Sequence, residues 1–135
     1  MPGSGSVLPE TNVILRYLLK DVPEQYAQVE KFFDDVRTGK TKAVILESVL
    51  AECVYILLKF YRVPKQMAVE SLIGLLEYKG VANRDKAELV DALQMFAQQT
   101  INIVDCLLLA KARHGKGRLL SFDTGRGAPP AYVAG

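Results

Sequence analysis

Four carboxylates stand where a packed domain has little use for them: Glu10, Glu52, Asp105 and Asp123. Glu52 is the most telling. On a helix its neighbours three and four residues away are Ser48, Val49, Tyr55 and Ile56, and the turns around it are almost wholly apolar. A carboxylate buried there needs a cation or several donors to offset its desolvation. Asp105 meets the same difficulty between Ile101, Asn102, Leu108 and Leu109, and Asp123 closes the apolar run Leu119–Phe122. Glu10 immediately precedes an apolar helical segment. No basic residue is adjacent to any of the four in sequence. If they converge, their mutual repulsion requires a divalent cation, and an all-oxygen ligand set suits Mg²⁺ or Mn²⁺.

Each acid also has a purely structural reading. Asn102 and Asp105 have the spacing of a capping box. Glu10 suits the amino end of a helix, and Asp123 before Thr124-Gly125 suits an Asx turn. Glu52 can face water if its helix is rotated. The choice rests on the elements that carry them.

Apolar residues at 14, 15, 18 and 19 predict a helix over 12–20. Pro23 opens a second, with Tyr26, Val29, Phe32, Phe33 and Val36 on one stripe, ending at Gly39. Ala43 to Leu46 reads as a short buried strand, and Ser48 as the cap of a helix to about Tyr61. Pro64 starts another helix that fades near Gly80. Helices follow over 85–98, with Leu89, Ala92, Leu93 and Phe96 aligned, and from Asn102 to Gly115. Arg118 to Phe122 reads as a strand, and the Gly/Pro-rich stretch from Gly125 to Gly135 as weakly ordered. Short apolar strands alternating with helices predict an α/β fold with a small parallel sheet flanked by helices. In such folds ligands bind beyond the carboxyl ends of the strands.

With 135 residues, half of them hydrophobic, the chain is expected to form one domain with a real core. The longest apolar stretch, from Val44 to Phe60, is interrupted by Glu47, Glu52 and Lys59, so no membrane span is expected. Met-Pro-Gly-Ser-Gly-Ser at the start lacks the regions of a signal peptide and reads as linker. Cys53 and Cys106 lie in apolar segments without CxxC spacing, as reduced core thiols would. The net charge of +2 permits a nucleic-acid partner without requiring one. Lys111, Arg113, His114, Lys116 and Arg118 crowd one stretch, either as cations at a helix end or as a phosphate-binding patch.

The order Glu10-Thr11-Asn12-Val13-Ile14-Leu15, Leu50-Ala51-Glu52-Cys53, Ile103-Val104-Asp105-Cys106 and Leu120-Ser121-Phe122-Asp123 resembles the PIN domain. The closer resemblance is to VapC-type ribonuclease toxins of bacterial and archaeal toxin–antitoxin pairs. It covers residues 7–125, leaving 1–6 as a linker-like extension and 126–135 as a flexible tail. It implies a PIN-like α/β/α sandwich whose metal ligands and catalytic residues are Glu10, Glu52, Asp105 and Asp123. Thr11, Asn12 and Ser121 become candidates to orient them. Arg16, Lys111, Arg113, Lys116 and Arg126 become candidates to hold RNA. The resemblance further implies Mg²⁺- or Mn²⁺-dependent endoribonuclease activity, a cognate antitoxin, a cytoplasmic location and a homodimer. The faces Val54-Leu57-Leu58-Tyr61 and Met67-Val69-Leu72-Leu76 are candidate contact surfaces for those partners, although a monomer core would use them equally well. Two features depart from the family pattern: Glu10 replaces an Asp, and Pro9 removes a backbone donor from the strand before it. A PIN-fold protein that binds antitoxin or RNA without cutting is the alternative these departures raise.

Overall fold

The computed structural model of the chain describes residues 5–122 and 129–133. The chain divides into two compact units, Met1–Lys86 and Ala87–Gly135. The boundary falls at the first residue of a helix, with no glycine- or proline-rich linker to announce it, where the sequence reads as one domain.

In the first unit, β1 (Ser6–Val7) lies parallel to β2 (Lys42–Ala43), with Ser6 opposite Lys42 and Val7 opposite Ala43. The ladder is extended by Val44 N donating to Val7 O at 2.9 Å. On the far side of β2, Ala43 forms a parallel bridge with Val81, through Ala43 N to Gly80 O at 2.9 Å and Ala82 N to Ala43 O at 2.8 Å. Parallel pairing needs a crossover between strands, and two helices supply it. These are α1 (Thr11–Leu19) and α2 (Pro23–Thr38); α3 (Glu47–Lys59) and α4 (Lys65–Leu76) make the return to Val81.

Local chemistry sets most of these boundaries. Pro23 occupies the first turn of α2, where its missing N–H is no loss, and Gly39 ends the helix at φ 88°. The strand expected over Ala43–Leu46 is shorter than the sequence suggests. Beyond Ala43 the Asn83 side chain takes over the pairing: Ile45 N donates to Asn83 Oδ1 at 2.9 Å, and Asn83 Nδ2 donates to Ile45 O at 2.7 Å. The chain is thereby free to turn at once into α3, which begins at Glu47 with Leu46 as its N-cap. Ser48, the expected cap, lies inside the first turn and caps nothing.

The core of this unit gathers Ile14 and Leu15 of α1, Phe33 and Val36 of α2, Leu50, Cys53 and Leu57 of α3, and Val69, Leu72 and Leu76 of α4. Tyr17 stacks on Phe33 with ring centroids 4.2 Å apart, and its hydroxyl meets that of Tyr78 at 2.6 Å. Burial, then the Tyr78 bond, holds the Tyr17 phenol in its protonated form well above the ordinary tyrosine range.

The second unit holds most of α5 (Lys86–Gln98), with α6 (Ile103–Arg113), β3 (Leu119–Ser121) and β4 (Ala131–Val133). Leu89, Ala92, Leu93 and Phe96 are all buried, as their spacing predicts. β3 and β4 form an antiparallel pair, with Leu120 opposite Tyr132. The C-terminal stretch expected to be weakly ordered therefore contributes a strand. Pro129 and Pro130 precede that strand instead of interrupting it, where a missing donor costs no ladder bond. Arg118 lies over the Tyr132 ring at 4.1 Å and adds a cation–π contact across the pair. The described residues thus form six helices and a small parallel sheet, a mostly helical α/β chain.

Gly80 is where α2 and the bridge strand come closest. Its N–H donates to Val36 O at 2.7 Å, and a Cβ at this position would collide with the carbonyl oxygens of Thr41 and Val36. Neither oxygen belongs to a side chain that can swing away. Gly80→Ala is expected to lower the unfolding free energy by about 2–3 kcal/mol, the usual scale of overpacking, read from the urea midpoint. An unchanged midpoint would mean that the backbone is looser here than described.

Candidate functional site

Glu10 is the N-cap of α1, and its backbone carbonyl accepts from Val13 N at 3.1 Å and Ile14 N at 3.3 Å. Its side chain makes no capping bond. The exposed carboxylate instead lines an open cavity of about 410 Å³ with Asn12, Arg16, Gln25, Gln28 and Tyr61 among its walls. Thr11, the next residue, is buried at 8% exposure, and its hydroxyl donates to Glu52 Oε1. This bond joins the segment after β1 to the middle of α3, across a sequence separation of 41 residues.

Glu52 does not lie in the apolar interior that its sequence neighbours suggest. α3 turns Leu50, Cys53, Val54 and Leu57 inward, and Ser48, Glu52 and Tyr55 outward. The carboxylate is solvent-exposed with one oxygen held by Thr11. Water, not a buried cation, compensates most of its charge. Its field still reaches inward: burial, reinforced by the Glu52 charge, pushes the Cys53 thiol up to about 12.

Asp105 occupies the first turn of α6 and adopts the capping arrangement that its spacing allows. Asp105 N donates to Asn102 Oδ1 at 2.9 Å, and Asn102 Nδ2 donates to Asp105 Oδ2 at 3.1 Å. The carboxylate is exposed, and the amide of Asn102 holds one of its oxygens. Asp123 and Arg126 lie outside the described residues. Ser121 is the last residue of β3, and Asn12 is exposed on the first turn of α1.

Among the described residues no three His, Cys, Asp or Glu side chains form a group able to hold a metal. The individual donors nevertheless suit a hard cation. Glu10, the second oxygen of Glu52 and the second oxygen of Asp105 have no hydrogen-bond partner among the described residues, and each is reachable by solvent. Carboxylate oxygens with free lone pairs and one donor fixing their orientation are what Mg²⁺ or Mn²⁺ sites use.

The basic residues of the notable clusters stand in different surroundings. Arg113 pairs with Asp91 at 3.1 and 3.3 Å, and His114 Nε2 lies 3.2 Å from the same carboxylate. Lys111, Lys116 and Arg118 line a second open cavity, of about 370 Å³. Arg16 is tied on two sides, to Asp21 Oδ2 at 3.3 Å and to the Tyr61 hydroxyl at 2.7 Å. Sequence reasoning missed Asp91 and Tyr61 as partners, because nothing local marks a partner 22 or 45 residues away; Asp21, only five residues from Arg16, was missed although it is local. It also missed Gln25 and Gln28, whose three-residue spacing on the polar side of α2 was a usable sign of a shared face.

The Cys53 thiol should resist alkylation by iodoacetamide at mildly alkaline pH in the folded protein and react at once in urea. Reaction of the native protein at the rate of a free thiol would show that Cys53 is neither buried nor held protonated.

The family model for the PIN domain matches residues 7–126, nearly the whole chain. No curated protein and no solved structure matches it significantly.

Proposed function

The chain belongs to the PIN domain family, whose members are nuclease-type domains and generally use divalent metals, and on that premise we propose that it is a Mg²⁺- or Mn²⁺-dependent endoribonuclease. The observation that carries the reading is the Thr11–Glu52 bond, which ties together the two segments holding the first and second acids of the family pattern. In this reading Glu10, Glu52, Asp105 and Asp123 hold the cation. Bound there, it would supply a water acidic enough to ionise near neutral pH for attack on a phosphodiester, and charge neutralisation for the leaving oxygen.

The protein's own groups do the rest. Thr11 fixes one Glu52 oxygen and leaves the other for ligation. Asn102 does the same for Asp105, so its capping role and a ligand role are compatible. Asn12 and Ser121 orient carboxylates or waters. Lys111, Arg113, Lys116 and Arg16, with Arg126, hold RNA phosphates, Arg113 and Arg16 while also paired with Asp91 and Asp21.

The finer biological reading is a VapC-type toxin in the cytoplasm, restrained by a cognate antitoxin and dimeric through the α3 and α4 surfaces. Exposed Tyr55, Phe60 and Met67 on and beside those helices favour it. The domain extends over residues 7–125, flanked by a linker-like start and a C-terminal tail. A second reading, binding of antitoxin or RNA without cleavage, is favoured by one feature: Glu10 carries a methylene more than the family Asp, and Mg²⁺ tolerates displaced ligands poorly.

Cleavage of structured RNA should require Mg²⁺ or Mn²⁺ and fall by about a hundredfold or more in Glu52→Gln or Asp105→Asn. Thr11→Val should cost roughly tenfold, since it removes only the donor that orients Glu52. Full activity in EDTA, or in both acid variants, would refute the nuclease reading. Glu10→Asp should raise the cleavage rate; a rate unchanged or lower would remove the case for an impaired site.

A further inference from the structure

We propose that the cavity beside Glu10, between α1, α2 and Tyr61, is a subsite that receives one unpaired nucleobase of the bound RNA. The inference rests on the endoribonuclease reading and adds to it a source of sequence preference. At about 410 Å³ the cavity falls within the usual range for small-ligand sites, about 300–1,000 Å³.

Its lining is the wrong chemistry for a phosphate. The one cation, Arg16, has Nη1 on Asp21 at 3.3 Å and Nη2 on the Tyr61 hydroxyl at 2.7 Å. Its Nε is buried without a partner and so is closed to a ligand. What remains available are the carboxamides of Gln25 and Gln28, neither of which has a hydrogen-bond partner among the described residues. A carboxamide offers one acceptor and two donors on a planar edge, the complement of a base edge that presents both. Paired this way, Asn and Gln read adenine in two simultaneous bonds.

The apolar part of the wall also fits a base. Val29 offers an aliphatic surface, and Tyr61 a ring that Arg16 steadies from 5.7 Å. Unpaired RNA bases are commonly held by just this pairing of an aromatic or guanidinium plane with polar groups on their edges. Gln25 and Gln28 share a face of α2 and are both exposed, so substituting them leaves the core untouched.

The test is fluorescence anisotropy with the full chain carrying Asp105→Asn, so that RNA is bound but not consumed. The probes are short labelled oligouridylates in which one internal position is varied among the four bases. One base, adenine by the amide geometry, should bind about tenfold more tightly than the others, the factor one bidentate amide–base contact provides. The double substitution Gln25→Ala/Gln28→Ala should abolish that difference and retain the weaker binding common to all four probes. Equal affinity for the four, or a preference that survives the double substitution, would overturn the subsite. RNA cut by the wild-type chain without base preference would overturn the subsite alone. No binding and no cleavage would overturn the nuclease reading and the subsite together.

Discussion

One hydroxyl-to-carboxylate bond carries much of this structure's functional logic. Thr11 sits at the junction between the short strand β1 and helix α1, buried at 8% exposure, and donates to a Glu52 carboxylate that otherwise faces water. A charge-assisted bond of this kind is stronger than a neutral one and fixes an orientation. Because α1 and α3 are held by separate hydrophobic contacts, the bond does not create the packing. It joins the residue after Glu10 to the solvent-facing strip of α3, while the parallel pairing of Val7 with Ala43 sets the two preceding strands side by side.

The balance of charge follows from the same economy of exposed carboxylates and tied cations. Net charge says little here; what matters is where the basic groups stand and what they touch. Asp91 takes up both Arg113 and His114, and Asp21 with Tyr61 takes up Arg16. The sequence cluster at 111–118 is therefore weaker as an anion site than its count of cations suggests. The part of it that shares an open cavity is Lys111, Lys116 and Arg118.

Much of the fold was legible because its signals are local. Pro23 and Gly39 bracket α2, Asn102 caps α6, and the buried stripe Leu89–Phe96 of α5 follows from helical period alone. The misreadings share one cause: contacts made across long stretches of chain. Asn83 replaces strand pairing at Ile45 across 38 residues, which shortens β2 and moves the start of α3 to Glu47. Tyr132 and Val133 gain a partner in β3 that their proline-rich neighbourhood does not advertise. Glu52 shows the limit of neighbour counting. Apolar residues surround it in sequence, yet the helix places it on the strip that faces solvent. The capping arrangement of Asp105 was readable from its spacing; the solvent-facing position of Glu52 was not.

The central claim is that carboxylates from separate segments hold divalent metal, one ion or two, and a crystal grown with Mn²⁺ tests it most directly. The account predicts strong anomalous density, from one ion or two, ligated by carboxylate oxygens of Glu10, Glu52 and Asp105 together with Asp123. A peak bound elsewhere, or none at saturating Mn²⁺, would contradict it.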